Sequence, residues 1–326
     1  PRPGANVHTS LDIELQLLAE EAMAGRRGAV VALDPRNGEV LALVSTPAYD
    51  PNAFAAGLKP AEYRVLSTHP DQPLFNRAVR GRYPPGSTIK PMLGFAVLEE
   101  RVSNLDHTVR CPGHFSLPGS THRYRDWKIH GLVNLHDAIT ESCDVYFYEM
   151  STKLGIDTMH DYLARFGLGS RTGIDIAGET AGVVPSRAWK REKFSSRANQ
   201  VWFPGETVIA SIGQGYMLTT PLQLAVATAA VATRGERFRP HLALGWEHPL
   251  DGGFHAFEPE PLPPVQAQDP LHWEVVINAM RDVLQGENGT ARAAGMDAAY
   301  PMAGKSGTAQ VFSVGQDEEY NDDGID

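Results

Sequence analysis

The run Arg80-Gly81-Arg82-Tyr83-Pro84-Pro85-Gly86 constrains the fold more sharply than any other stretch. Its glycines and prolines break regular structure, and it stops at Ser87, after which Ile89 to Leu98 is predominantly apolar. This predicts a loop that turns into an apolar helix with Ser87 at its N-cap. Residues three apart share a helical face, so Lys90 would stand beside Ser87 at the first turn. Serine is a poor nucleophile at its own pKa and needs a base. A lysine serves as one where desolvation or neighbouring positive charge favours its neutral form. The helix N-terminus adds backbone N–H groups that suit an oxyanion. Alone, Ser87-Thr88-Ile89-Lys90 reads equally as a capped helix with a solvated lysine.

Two further motifs follow in order. Ser142-Cys143-Asp144 lies between two helical stretches, where a second serine could relay a proton between the lysine and a leaving amine. The plainer reading is a helix cap from Ser142 or Asp144. Lys305-Ser306-Gly307-Thr308 falls on a predicted strand. Gly307 lets a substrate backbone lie close, Lys305 with the hydroxyls of Ser306 and Thr308 offers a carboxylate site, and the Thr308 N–H could complete an oxyanion hole with that of Ser87. Its plainer reading is a lysine on an edge strand with a bulge at Gly307. Together, S-x-x-K, an S-x-D variant of S-D-N, and a K-S-G variant of K-T-G form a combination associated with serine acyl transfer on β-lactam-like amides.

The surrounding chain reads as mixed α and β. Residues 9–24 have helical spacing, with Thr9 or Ser10 available as cap and Gly25 as stop. Residues 28–34 and 39–45 form a hairpin about the turn Pro35-Arg36-Asn37-Gly38. Residues 110–131 are irregular. Helical patterns return at 135–153, 158–166, 221–233 and 271–284, the six prolines of 249–270 mark a surface connection, and 300–314 reads as a strand interrupted by Gly304 and Gly307. Strands, many helices and then a strand suggest a sheet packed by helices. The 326 residues fit one large domain or two intimate lobes. A net charge of −10 argues against a nucleic-acid partner, and no apolar run reaches the roughly 20 residues of a membrane helix.

Leu41–Asn52, Arg82–Lys90, Ala210–Tyr216, Thr220-Pro221-Leu222-Gln223 and Gly304–Phe312 together make the chain resemble the class B penicillin-binding proteins. Tyr124–Lys128 and Trp202–Thr207 are similar to the penicillin-binding protein 2 branch, which serves cell elongation. The resemblance spans nearly the whole chain and implies an α+β transpeptidase fold of the penicillin-binding and β-lactamase type: an antiparallel sheet packed by helices plus an all-α lobe. It implies D,D-transpeptidase activity on peptidoglycan stem peptides. Ser87 would be the nucleophile, Lys90 the base and Ser142 a proton shuttle, with Asp144 where many relatives have Asn. Lys305, Ser306 and Thr308 would bind the terminal carboxylate. No cofactor is needed for that chemistry, and β-lactams would acylate Ser87. It further implies a periplasmic domain of an inner-membrane-anchored protein, working with a membrane glycosyltransferase and other elongation proteins. No Glu-x-x-Leu-Asn motif follows Ser142, which favours a transpeptidase over a β-lactamase. The same scaffold also admits a D,D-carboxypeptidase, or a non-catalytic module that senses β-lactams or acts as a scaffold. The opening Pro1-Arg2-Pro3-Gly4 and the acidic ending Asp317–Asp326 lead us to expect residues 1–326 to be one transpeptidase domain, trimmed at its start and lacking the family's last strands and helix.

The two cysteines, Cys111 and Cys143, leave three readings. With Asp126 and His130 they make an acceptable tetrahedral zinc set, although the spacing matches no standard zinc finger and His114, His122 and His136 are rival ligands. The second reading is a disulfide, and the third a pair of buried free thiols. A metal at Cys143 would pin the loop that carries Ser142 and Asp144.

Overall fold

A computed structural model describes residues 4–308. The expectations about Pro1–Pro3, about the strand beyond Thr308 and about Asp317–Asp326 fall outside them. The chain divides into two compact units: one holds the residues up to Arg82 with Gly167–Gly182 and Thr219–Val265, the other Tyr83–Phe166, Val183–Leu218 and the residues from Gln266 onward. The mixed α and β class is borne out.

In the first unit the predicted hairpin forms, Gly28–Leu33 pairing antiparallel with Val40–Thr46. Alternate residues of Val40–Thr46 are buried, the period-two pattern of a strand with one covered face. The helix Pro221–Ala232 packs on this hairpin. It is closed by the capping box of Thr220 and Gln223, with the Thr220 Oγ1 accepting from the Gln223 N–H at 3.2 Å. Val40, Ala78, Val79, Ile174, Leu222 and Val226 form the core between them. The first predicted helix is shorter than its pattern, Ile13–Ala22. Thr9 and Ser10 do not cap it: Asn6–Thr9 is drawn into a ladder with Ala243–Glu247, and Asp12 takes the cap, accepting from Glu14 N and Leu15 N at 3.0 Å each. The proline-rich stretch is likewise more than a connection. Phe254–Ala256 and Pro261–Leu262 pair with Ala243–Glu247 and Arg237–Phe238, and Pro261 is tolerated there because an edge strand leaves its missing N–H unneeded.

The second unit is built around Lys90–Glu99, a helix buried on every side. That is why its sequence shows no polar face. Phe95 stacks on Trp273 at 4.0 Å, and Phe166 meets Trp273 edge-on at 6.0 Å. The helix Leu271–Gln285 packs along it and along Leu135–Thr140. This helix-rich unit also carries two short antiparallel ladders inside the stretch expected to be irregular, Val109–Cys111 with Gly131–Val133 and His114–Phe115 with Tyr124–Arg125. Strands of two or three residues are too short to show alternation in sequence.

Candidate active site

Ser87 is not an N-cap. It lies inside a 3₁₀ turn, Gly86–Ile89, which leads into the helix Lys90–Glu99. Pro85 already has helical backbone angles, and Thr88 Oγ1 donates back to the Pro85 carbonyl at 2.7 Å, so the chain tightens before the α-helix begins. Side chains at i and i+3 eclipse in a 3₁₀ turn, which keeps Ser87 and Lys90 on one face. Lys90 is wholly buried, and its Nζ donates to the Ser142 carbonyl at 2.8 Å, to Ser142 Oγ at 3.3 Å and to Asp144 Oδ1 at 2.5 Å. The side-by-side pair expected of Ser87 and Lys90 is not joined by a hydrogen bond among the described residues; the lysine's hydrogen bonds go to the second motif, to Ser142 and Asp144.

The second motif is a break between two helices, Leu135–Thr140 and Asp144–Leu154. Ser142 has φ +60°, a left-handed conformation uncommon outside glycine and concentrated at functional sites. In that conformation its carbonyl and hydroxyl both face Lys90. Neither Ser142 nor Asp144 caps the following helix, contrary to the plainer reading. Cys143 stands at the N-cap position, and the orphan N–H groups of Asp144 and Val145 are taken by Asp126 Oδ2 at 2.8 and 3.0 Å. Asp144 is thereby free to meet Lys90. Burial pushes its carboxyl above the usual carboxylate range, against the opposing pull of the Lys90 charge.

Lys305–Thr308 belongs to no ladder among the described residues, unlike the strand expected. Individual contacts hold it instead. Gly304 N–H donates to the Met280 carbonyl at 2.9 Å, Ser306 Oγ pairs with Thr290 Oγ1 at 2.9 Å, and Lys305 Nζ donates to Ser142 Oγ at 2.8 Å. Ser142 Oγ thus bridges two lysines. Burial, then the Lys90 charge, lowers the pKa of Lys305 to about 7, with Asp144 opposing.

Gly213 and Gln214 carry no chemistry that their sequence motif announces, yet they join the first and third motifs. Gly213 accepts from Gly86 N–H at 3.1 Å, and buried Gln214 Nε2 donates to the Thr308 carbonyl at 3.0 Å. The backbones touch. A Cβ on Gly213 would lie 2.2 Å from Gly86 O, one on Gly86 2.5 Å from Thr308 O, and one on Gly307 3.0 Å from Pro85 O. The signal in the sequence is the glycine pair in Ala210–Tyr216, which marks close backbone approach without naming the partner.

Beneath the Ser142 loop, Cys111, Asp126, His130 and Cys143 converge, each offering one donor atom within 4.8 Å of the others. Asp126 Oδ2 lies 3.4 Å from Cys111 Sγ, 3.2 Å from Cys143 Sγ and 3.5 Å from His130 Nδ1. Both thiols are free, so the disulfide reading is not what the structure holds. The rival histidines sit elsewhere: His114 in a ladder, His122 against Tyr124, His136 paired with Asp282 at 3.0 Å. Burial pushes both thiols up, while Asp126, despite its own burial, is held low by hydrogen bonds from His130 and the Val145 N–H. Two sulfurs, an imidazole nitrogen and a carboxylate oxygen converging in a buried spot fit the donor chemistry of structural zinc.

A profile of the penicillin-binding protein transpeptidase domain matches residues 28–325. The chain belongs to the penicillin-binding protein transpeptidase family. It is 44% identical over 324 residues to the peptidoglycan D,D-transpeptidase MrdA of Acinetobacter baumannii, covering 99% of this chain and 47% of that protein. Among solved structures it is similar to Pseudomonas aeruginosa PBP2 in complex with WCK 5153, with TM-score 0.87 and 46% identity over 95% of this chain and 69% of that one. It is also similar to PBP2 in its complex with MreC from Helicobacter pylori, with TM-score 0.83 and 33% identity over 94% of this chain and 55% of that one. The chain thus spans about half the length of the curated relative it matches. In this transpeptidase domain, Ser87, Lys90, Ser142, Asp144 and Lys305–Thr308 all fall within one compact unit.

Proposed function

We propose that the chain is the catalytic part of a peptidoglycan D,D-transpeptidase and cross-links stem peptides through an acyl-enzyme on Ser87. The observation that carries this reading is the position of Ser142 Oγ, within hydrogen-bond reach of both Lys90 Nζ and Lys305 Nζ. Lys90 first passes one proton to Asp144, whose carboxyl pKa burial raises, and in its neutral form takes the proton of Ser87 Oγ as that oxygen attacks the carbonyl carbon of the penultimate D-Ala. The oxyanion is received by the N–H groups of Ser87 and Thr308, preorganised by the close packing of Gly86 against Thr308. The C–N bond then breaks, and the leaving D-Ala amine takes its proton through Ser142 Oγ. Lys305, with the hydroxyls of Ser306 and Thr308, holds the terminal carboxylate. In the second half-reaction an acceptor amine attacks the ester, its proton returns along the same relay and Ser87 is released. β-Lactams, which present a carboxylate beside a strained amide, enter the first half-reaction and stop there.

Cys111, Asp126, His130 and Cys143 would hold a structural zinc ion. When bound it supplies the positive charge that two thiolates and a carboxylate need in a buried site. Asp126 carries the consequence to the active site, because the same carboxylate caps the helix that begins at Asp144. No helix among the described residues is long and apolar enough to cross a membrane. We place the chain in the periplasm as part of an inner-membrane-anchored protein that works with a membrane glycosyltransferase and elongation proteins, in keeping with the complex of its Helicobacter pylori relative with MreC. The test is product analysis with a D-Ala-D-Ala stem peptide and an amine acceptor. Cross-linked peptide with stoichiometric free D-Ala supports the proposal. Hydrolysed peptide alone would assign a carboxypeptidase, and rapid turnover of penicillin a β-lactamase.

A further inference from the structure

We propose that Gln214 is a positioning residue for the oxyanion hole, acting through the Thr308 carbonyl; this deepens the acyl-transfer reading and rests on it. Gln214 is buried, and its amide donates to Thr308 O at 3.0 Å. Its neighbour Gly213 accepts the Gly86 N–H at 3.1 Å. Two consecutive residues therefore grip both halves of the hole: one holds the turn that carries the Ser87 N–H, the other the residue that carries the Thr308 N–H.

The grip has a rigid base. Gly213 N–H and Gln214 N–H donate back to Ala210 O at 3.0 Å and Ile209 O at 3.3 Å, which locks both residues to the end of the helix Pro204–Ala210. That helix packs on Asp144–Leu154, so the frame is shared with the second motif. Thr308 has no ladder among the described residues to fix it. The hydrogen bond from Gln214 anchors Thr308 by its carbonyl, and Gly86 packs against the same backbone, where an added Cβ would lie 2.5 Å from Thr308 O and 3.2 Å from Thr308 N. The oxyanion-hole spacing thus depends on a side chain that touches neither substrate nor reacting atoms.

The test is saturation kinetics of Ser87 acylation by a fluorescent penicillin in Gln214→Met, which keeps length and removes the donor, and in Gln214→Glu, which keeps volume and carries the test if the methionine variant is unstable. Hydrogen exchange of the segment around Lys305–Thr308 is measured beside it. The acylation step should slow by about 10–100-fold, the size of effect a misplacement near 1 Å produces. The saturation constant should stay within about twofold, the split expected when only transition-state contacts are lost. Exchange around Lys305–Thr308 should speed while that of Leu271–Gln285 holds. An acylation step within about twofold of wild type, in variants that label fully, overturns this role alone. Absence of label on Ser87 in the wild-type chain overturns the acyl-transfer reading and this role with it.

Discussion

Replacing Gly213 by alanine adds one methyl group, and its consequences can be worked from the backbone. Gly213 has φ +72°, where a residue with a Cβ is strained by about 1 kcal/mol. The new Cβ would sit 2.2 Å from Gly86 O and 2.6 Å from Gly86 N, whereas ordinary contact begins near 3.4 Å. Both neighbours are backbone, so the turn before Ser87 must shift by about 1 Å or the Gly86–Gly213 hydrogen bond must break. Overpacking of this kind costs about 1–3 kcal/mol, giving a total loss of about 2–4 kcal/mol, readable by urea titration. A shift near 1 Å at the neighbour of Ser87, the proposed nucleophile, should also slow penicillin acylation by about 10²-fold. Gly215→Ala is the internal control. Its φ is nearly the same at +71°, but its Cβ would meet only the Ile209 side chain, at 3.2 Å from Cγ2 and 3.9 Å from Cβ. That variant should lose about 1 kcal/mol and keep its acylation rate. If the two variants match in both stability and rate, the reasoning from Gly86 contact is wrong.

Three further outcomes follow from other parts of the second unit. Glu206→Gln should destabilise the chain by about 3 kcal/mol, because Lys190 is buried among Trp202, Phe203 and Tyr216 with Glu206 as its counter-charge; a urea midpoint unchanged from wild type would refute it. Protein purified without chelator should contain about one zinc per chain, and Cys143→Ser should lose it together with several degrees of melting temperature; elemental analysis showing no zinc in the wild type sinks the site. Lys305, its pKa lowered by burial to about 7, would bind the proposed carboxylate in its charged form, which is full below that pH and lost as pH rises through it. Penicillin saturation constants should therefore weaken from pH 6 to 9 in the wild type and stay flat in Lys305→Arg, whose guanidinium remains charged. A flat wild-type profile would contradict the assignment.

The motifs are legible in sequence because each needs only local spacing. The turn into the helix at Ser87 and Lys90 and the helix break at Ser142 lie where their neighbours' breakers and apolar runs place them, whereas the strand expected at Lys305 belongs to no ladder among the described residues. The hairpin about Pro35–Gly38 and the helix Pro221–Ala232 are legible for the same reason. What sequence does not supply is long-range. That Asp126 caps a helix 18 residues away, that Lys90 turns to Asp144, and that Gly213 and Gln214 grip Gly86 and Thr308 depend on segments distant in the chain. The first helix is shorter than its pattern because residues 6–9 find a strand partner more than 230 residues away, which no local pattern encodes. The tight turn at Ser87 is hidden because Pro84-Pro85 reads as a helix boundary, and the pattern does not separate a cap from a 3₁₀ start.

The most direct test of the central claim is to react the chain with a fluorescent penicillin and map the adduct by mass spectrometry. The predicted result is a single stable penicilloyl ester on Ser87, abolished in Ser87→Ala and strongly slowed in Lys90→Met. An adduct on any other residue, or labelling that persists in Ser87→Ala, would contradict it.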